Sequence, residues 1–267
     1  MHFRQKIQST KKRIVIELII ILMFFCTPMK IFSNSLKKIY NYYKPIVGFV
    51  RSNEGTGTGF LINNDGIFVT AKHVAGNLID TRIYLNDKEQ EIEGIYYTNV
   101  PNIDLIFYKL KKVQYKKKQK LRFERFKRVQ IGDKILTISN PLNFQGTFSE
   151  GYVNNIIIIE EEMKSFILGS SETSPGSSGG PVIKSNGKII GMTVGAWDNQ
   201  YQHIIPYDKI SYSLKNSEYW SIKQLQILFN AMESERINDI PKKSNNDILL
   251  GYSCWSTIIL GILLLVK

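Results

Sequence analysis

A serine, a histidine and an aspartate stand in settings that suit chemistry. Gly176-Ser177-Ser178-Gly179-Gly180-Pro181 places two serines among glycines. A serine that attacks a carbonyl needs a tight backbone turn exposing its hydroxyl, with main-chain N–H groups aimed at the developing negative oxygen. Flanking glycines permit that turn and let a second backbone approach. Taken alone, the string also suits an ordinary Gly/Ser surface loop. His73 follows Phe68-Val69-Thr70-Ala71-Lys72, at the end of a predicted strand that closes on small residues. A lone histidine is often structural. Asp104 sits in Asn102-Ile103-Asp104-Leu105-Ile106, where an acid begins an otherwise apolar strand. A partly buried carboxylate is costly without a partner, and a histidine that takes up a proton would be one.

The elements that must position these residues are short β-rich runs separated by turns. Strands are predicted at Pro45–Arg51, Thr56–Ile62, Gly66–Thr70, Asp80–Leu85, Ile103–Leu110, Lys134–Ser139, Gly151–Ile159, Pro181–Ile183 and Lys188–Val194. Asn63-Asn64-Asp65-Gly66 and Ser185-Asn186-Gly187 read as turns, because Asn and Gly tolerate positive φ. Many short strands with no intervening helical pattern point to a mainly β fold, barrels or a sandwich. The basic stretch near residues 111–128 divides the strands into two groups, which two six-stranded antiparallel barrels would fit. From Ser217 to Glu235 the pattern turns helical, with Ile222, Leu225, Phe229 and Met232 on one face and Leu228 beside them. Ser221 and Gln224 have the spacing of a capping box.

These motifs, in the order His, Asp, Ser, resemble the trypsin-like serine proteases, and most closely their bacterial Deg or high-temperature-requirement branch. Further matching stretches are Val129-Gln130-Ile131-Gly132-Asp133, Ile138-Ser139-Asn140-Pro141, Gly151-Tyr152-Val153 and His203-Ile204-Ile205-Pro206. The similarity runs over about residues 45–210. It implies a chymotrypsin-like pair of six-stranded barrels and acyl transfer, with Ser178 as nucleophile, His73 as general base and then acid, and Asp104 holding the imidazole. Main-chain N–H groups of Gly176 and Ser178 would form the oxyanion hole. Neither a metal nor an organic cofactor is required, and the implied partner is a protein or peptide substrate.

Three departures from the family pattern matter. Ser177 stands where Asn or Asp is usual before the nucleophile, so Ile46-Val47-Gly48 reads as an ordinary strand and not as an activating N-terminus. No second domain of PDZ type follows Pro206. Glu172, six positions before Ser178, falls where the family places a residue at the base of the specificity pocket, and His203 lies on the strand expected to close it. A loop glutamate facing water is the alternative for Glu172.

The ends differ from the middle. Arg4, Lys6, Lys11, Lys12 and Arg13 precede an apolar run from Ile14 to Met29 broken only by Glu17, the pattern of a signal peptide or signal-anchor over residues 1–35. Ile248 to Val266 is uncharged and nearly matches a bilayer's hydrocarbon thickness, so a transmembrane segment is expected at 248–266. The protease domain then covers residues 44–212, with a helix and linker at 213–247. The basic N-terminal flank places that domain outside the cytoplasm; a cytoplasm-facing arrangement is the alternative. The net charge of +12 is concentrated locally, with eleven Lys or Arg against one acid between Lys109 and Arg128. That stretch reads as a solvated connection, with anionic lipid as the second reading. No nucleic-acid-binding signature accompanies it. Cys26 and Cys254 are the only cysteines and both lie in the end segments, so no disulfide framework is expected. Oligomeric state leaves no mark in the sequence.

Overall fold

The structure is a computed structural model that describes residues 17, 36–76, 78–113, 120–159, 164–197 and 201–238. The expected segments at Ile14–Met29 and 248–266 lie outside these residues, apart from Glu17. Among the described residues no helix is long and apolar enough to cross a membrane.

Among the described residues, strands and a few helices follow one another in two groups. The first group comprises β1 (Val47–Ser52), β2 (Gly55–Leu61), β3 (Ile67–Thr70), α1 (Lys72–Ala75), β4 (Arg82–Leu85), β5 (Lys88–Gln90), β6 (Ile92–Thr98) and β7 (Ile106–Leu110). The second comprises β8 (Lys134–Ser139), β9 (Thr147–Ile159), β10 (Lys164–Gly169), β11 (Pro181–Lys184), β12 (Ile189–Trp197) and β13 (Tyr201–Pro206). Helix α2 (Tyr207–Lys215), strand β14 (Ser217–Ser221) and helix α3 (Ile222–Asn238) complete the described chain.

The second group closes into a six-stranded antiparallel barrel in the order β10-β13-β12-β11-β8-β9. The first does not close. It forms an eight-stranded sheet in the order β14-β6-β7-β3-β2-β1-β4-β5, so the expected pair of six-stranded barrels is one barrel and one curved half-barrel sheet. The additional strand is β14, whose Glu218, Tyr219 and Trp220 pair antiparallel with Tyr97, Tyr96 and Ile95 of β6. Those residues were expected at the start of a helix. Aromatic side chains suit a pleated edge, and the open edge of β6 supplies ladder partners that a helix would forgo.

The capping box itself is present one element later. Ser221 N–H donates to Gln224 Oε1 at 2.9 Å and Gln224 N–H to Ser221 Oγ at 3.3 Å, so α3 starts at Ile222. Leu225 is buried, and Ile222 and Phe229 pack partly buried on the main core, as the stripe predicts.

Period-2 alternation distributes the apolar residues between two cores. On β8, Ile135 faces the barrel interior with Val153, Ile167, Val182, Ile190 and Ile204. Its neighbours Leu136 and Ile138 join the larger cluster under the first sheet, with Phe60, Phe68 and Phe107. One strand of the barrel therefore helps build the core of the other lobe.

Polar contacts fix how the lobes meet. Thr58 of β2 is fully buried. Its hydroxyl donates to Gly176 O at 2.7 Å and accepts the Asn140 N–H at 2.8 Å. Its main-chain N–H donates to Ser178 O at 2.8 Å, and its carbonyl accepts from Thr70 Oγ1 at 2.6 Å. Thr58→Val keeps the shape but leaves Gly176 O and Asn140 N–H unpaired in a buried place. We expect a loss of about 2–6 kcal/mol in denaturant unfolding, since each of the two orphaned groups costs about 1–3 kcal/mol. An unchanged unfolding midpoint would remove Thr58 from this role.

Candidate active site

The histidine is placed by a very short helix. Thr70 ends β3, Ala71 takes an extended N-cap conformation, and α1 carries Lys72, His73, Val74 and Ala75 before Gly76 turns the chain. Four residues cannot sustain a helix alone, and neighbours hold this one from both ends. Ser52 Oγ donates to Val74 O at 2.7 Å. Thr81 Oγ1 donates to Ala75 O at 2.8 Å and itself accepts from the buried Tyr108 hydroxyl at 2.8 Å. Lys72 Nζ donates to Tyr97 Oη at 2.8 Å and sits 4.8 Å from that ring's centre.

Asp104 lies in the loop between β6 and β7, two residues ahead of the strand it was expected to begin. Its Oδ2 stands 2.5 Å from His73 Nδ1, and its Oδ1 accepts the His73 main-chain N–H at 2.9 Å. One carboxylate thus orients both the ring and the backbone of the same residue, leaving the other ring nitrogen, Nε2, for chemistry. The bond to Asp104 lifts the His73 pKa above the ordinary 6.5, against an opposing effect of burial. Burial pushes the Asp104 carboxyl up, but the His73 ring and the main-chain N–H groups of His73 and Lys72 outweigh it and hold the carboxyl below its ordinary value.

Ser178 lies in the loop between β10 and β11, joined to β2 of the other lobe through its carbonyl and Thr58. Gly176 and Gly179 both have φ of +95°, the left-handed region that disfavours other residues. At Gly179 a Cβ would also lie 1.7 Å from Thr58 O, so no side chain fits. The main-chain N–H groups of Ser177, Gly179 and Gly180 donate to Ser174 O, Thr193 O and Ser177 O. Those of Gly176 and Ser178 have no acceptor among the described residues. Two free donors beside a serine are what a developing oxyanion requires.

The two expected pocket residues are placed differently. His203, on β13, pairs in register with Leu168 and Gly195 and meets Phe166 edge-on at 4.7 Å between ring centres. Burial lowers its pKa, and the Asp104 charge partly offsets that, so His203 lies within the field of the His73–Asp104 pair. Glu172 is exposed, and its main-chain carbonyl accepts from Ser149 Oγ at 3.2 Å. No cluster of three or more His, Cys, Asp or Glu capable of holding a metal occurs among the described residues.

Sequence reasoning missed Thr58, Asn140 and Thr70 as supports of the site. Thr70 and Asn140 lie inside motifs matched to the family and Thr58 inside a predicted strand, but nothing in a single threonine or asparagine announces a bond to a neighbouring strand or to the opposite lobe. The sequence signal available was a threonine alternating with glycines in Gly55-Thr56-Gly57-Thr58-Gly59.

Residues 57–192 match the trypsin-like peptidase domain family, just over half of the chain. The chain belongs to that family. A relative named probable periplasmic serine endoprotease DegP-like, from Chlamydia trachomatis serovar D, is 33% identical over 141 residues, which is 51% of this chain and 27% of that protein. The putative serine protease HhoB of Synechocystis sp. is 27% identical over 148 residues, covering 52% of this chain and 34% of HhoB. The chain thus spans roughly a quarter to a third of the curated relatives it matches. Among solved structures, Deg5 superposes with a TM-score of 0.57 at 22% identity over 67% of this chain and 92% of that one. The inactive form of Rv3671c from M. tuberculosis H37Rv gives 0.56 at 20% identity over 66% and 88%. These likenesses carry the chymotrypsin-like fold, and the expected resemblance to the Deg branch holds.

The opposite pKa shifts of the two histidines give a direct test. In NMR titration, His73 should titrate above 6.5 and His203 below it, and Asp104→Asn should bring His73 down. The stabilisation of the pair through His73 is complete below pH 6.5 and fades as pH rises through the raised value; through Asp104 it is present above that carboxyl's ordinary 3.8 and fades as pH falls through the lowered one. A His73 value below that of His203 would contradict the geometry.

Proposed function

We propose that this chain is a membrane-anchored serine endopeptidase that hydrolyses peptide bonds through an acyl-enzyme intermediate. The observation that carries the reading is the His73–Asp104 pair, in which one carboxylate binds both ring and backbone, at the lobe junction to which Thr58 also ties the Gly176–Gly179 loop. Ser178 Oγ attacks the scissile carbonyl as His73 takes its proton. Asp104 keeps the imidazole in the tautomer with its basic nitrogen towards the serine and stabilises the cation that forms. The free N–H groups of Gly176 and Ser178 receive the oxyanion. His73 then returns the proton to the leaving amine, and water attacking the acyl-enzyme through the same base releases the second product.

Its substrates are unfolded or exposed protein segments. The basic flank before Ile14 and the uncharged stretch 248–266 support attachment to a membrane with the protease domain on the extracytoplasmic side, in keeping with the word periplasmic in the relatives' names. His203 forms part of the pocket for the residue before the scissile bond, with Glu172 at its exposed rim. A neutral imidazole packed against Phe166 favours small apolar residues there.

Ser178→Ala should reduce hydrolysis by several orders of magnitude, whereas Ser174→Ala and Ser177→Ala retain much of it. Near-normal turnover by Ser178→Ala would overturn the assignment. In a peptide-library profile, wild type and Glu172→Ala should both cleave after Val or Ala. Cleavage after Lys or Arg that disappears in Glu172→Ala would instead make the glutamate a specificity residue.

A further inference from the structure

One exposed surface is not used by the proposed reaction. The loop after β8 turns at Pro141–Asn143 with Leu142 and Asn143 at φ of +49° and +68°. It leaves Leu142 62% and Phe144 69% exposed, with Phe148 40% exposed just beyond. Neighbouring large side chains left in water at this level, in one short loop, mark an interaction surface more often than isolated ones do.

The residues packed on this loop are the first ones described after the apolar N-terminal run. Residues 36–43 are helical. Tyr40 Oη donates to Gly146 O at 2.7 Å, the Tyr40 ring meets Phe148 edge-on at 6.1 Å, and Lys44 Nζ lies 5.7 Å from the Tyr40 ring. From the same helical turn, Tyr42 Oη donates to Lys120 O at 2.9 Å, which brings one end of the basic stretch alongside. Lys37, Lys38, Lys44 and Lys120 are all exposed. Residues 36–44 and 140–148 contain three lysines and no acid. Glu150, the next acid along β9, is paired with Lys134 at 3.1 Å.

Chain length restricts where this surface can go. Only six residues lie between Met29, the end of the apolar run, and Leu36. Even fully extended they reach at most about 25 Å. A domain held that closely by a membrane-embedded segment presents to the lipid the face on which the tether lands. That face carries exposed apolar side chains and adjoins a helical turn bearing exposed lysines, the composition that suits the interface of an anionic bilayer.

We propose that the surface formed by Leu142, Phe144 and Phe148, with Lys37, Lys38, Lys44 and Lys120, rests on an anionic lipid bilayer. The inference relies on the membrane-anchored reading of the N-terminal run and is independent of the catalytic assignment. It has a consequence for the site. Leu142 N–H donates to Pro175 O at 2.9 Å, and a Cβ on Gly176 would lie 2.6 Å from Asn140 O. The bilayer-facing loop and the loop of Ser178 are therefore direct neighbours, and polypeptide emerging from the membrane is the substrate nearest to hand.

The test uses the full chain with Cys26 and Cys254 changed to Ser and an environment-sensitive fluorophore on a single introduced cysteine. Phe144→Cys reports on the proposed face. Ile131→Cys is the control, equally exposed at 65% but at the opposite end of β8. In vesicles of phosphatidylglycerol and phosphatidylethanolamine, the Phe144→Cys probe should shift to the blue and lose iodide quenching several-fold, with Ile131→Cys unchanged. Phosphatidylcholine vesicles, high salt, or combined Lys37→Gln, Lys38→Gln and Lys44→Gln should reverse much of the shift. A chain that floats with the vesicles while both probes stay equally open to iodide overturns the proposal and leaves anchoring intact. Protection that rises with protein-to-lipid ratio means that a second copy covers the face, and also overturns it. A chain that does not float removes the anchoring reading and this inference together.

Discussion

The site depends on the close approach of β2 to the loop of Ser178. At Thr58 the two lobes exchange bonds through the N–H and the hydroxyl of one residue, while its carbonyl accepts from Thr70 of the same lobe. Each bond contributes only about 0.5–1.5 kcal/mol net, so the cluster is not a large reservoir of stability. Its importance is geometric. With Thr58 N–H on Ser178 O, the serine's position is set by the first lobe, the one that also carries His73 and Asp104. The same approach forbids any side chain at residue 179, whose Cβ would overlap Thr58 O. Glycine there is thus fixed by the neighbouring strand as well as by its own φ.

The His73–Asp104 pair is the electrostatic counterpart of that constraint. Burial alone would raise the carboxyl's pKa and lower the histidine's, neutralising both. Pairing reverses both shifts, so the ion-pair form is the one that the site favours when a proton arrives. The pair remains partly open to solvent, which limits its contribution to stability while keeping it accessible to a reacting group. His203 feels the same aspartate but is governed by burial. Two histidines near one carboxylate are thus shifted in opposite directions, upward by a direct bond to Asp104 in one case and downward by burial in the other.

Much of this was legible from local pattern. β8 was read at its observed bounds, because Lys134–Ser139 is a run of apolar and β-branched residues between turn signals. His73 just past a strand end and the glycine-flanked serine stand out as candidate sites of chemistry because each breaks a regular pattern, but the short helix bearing His73 does not. What depended on distant partners was not legible. Asp104 was assigned to the start of a strand, but its bonds to α1 hold it outside the β7 ladder. β14 was read as helix because its pairing partner lies 120 residues earlier, across from Tyr97 and Tyr96. The openness of the first lobe follows from how the strands order at the sheet's edges, which no local periodicity encodes. Thr58 is legible only as part of a predicted strand and Asn140 only as part of a motif, since their work is done across the lobe junction.

Ser177 shows how a departure from the family pattern becomes intelligible through burial. It is 1% exposed, its hydroxyl lies 3.4 Å from Ser139 Oγ, and it accepts the Ser174 N–H at 3.3 Å. A carboxylate in that place would need a cation to offset its desolvation. The activating device of digestive zymogens supplies one as a freed amine, but here Ile46 lies buried in a 3₁₀ turn and Val47 opens β1, paired along its length with β2. The main chain that would have to detach is part of the sheet. A neutral hydroxyl with two weak polar neighbours satisfies the same space with no ion to balance, so the loop around Gly176 and Ser178 is supported by interactions already present in the folded chain and does not await a new terminus.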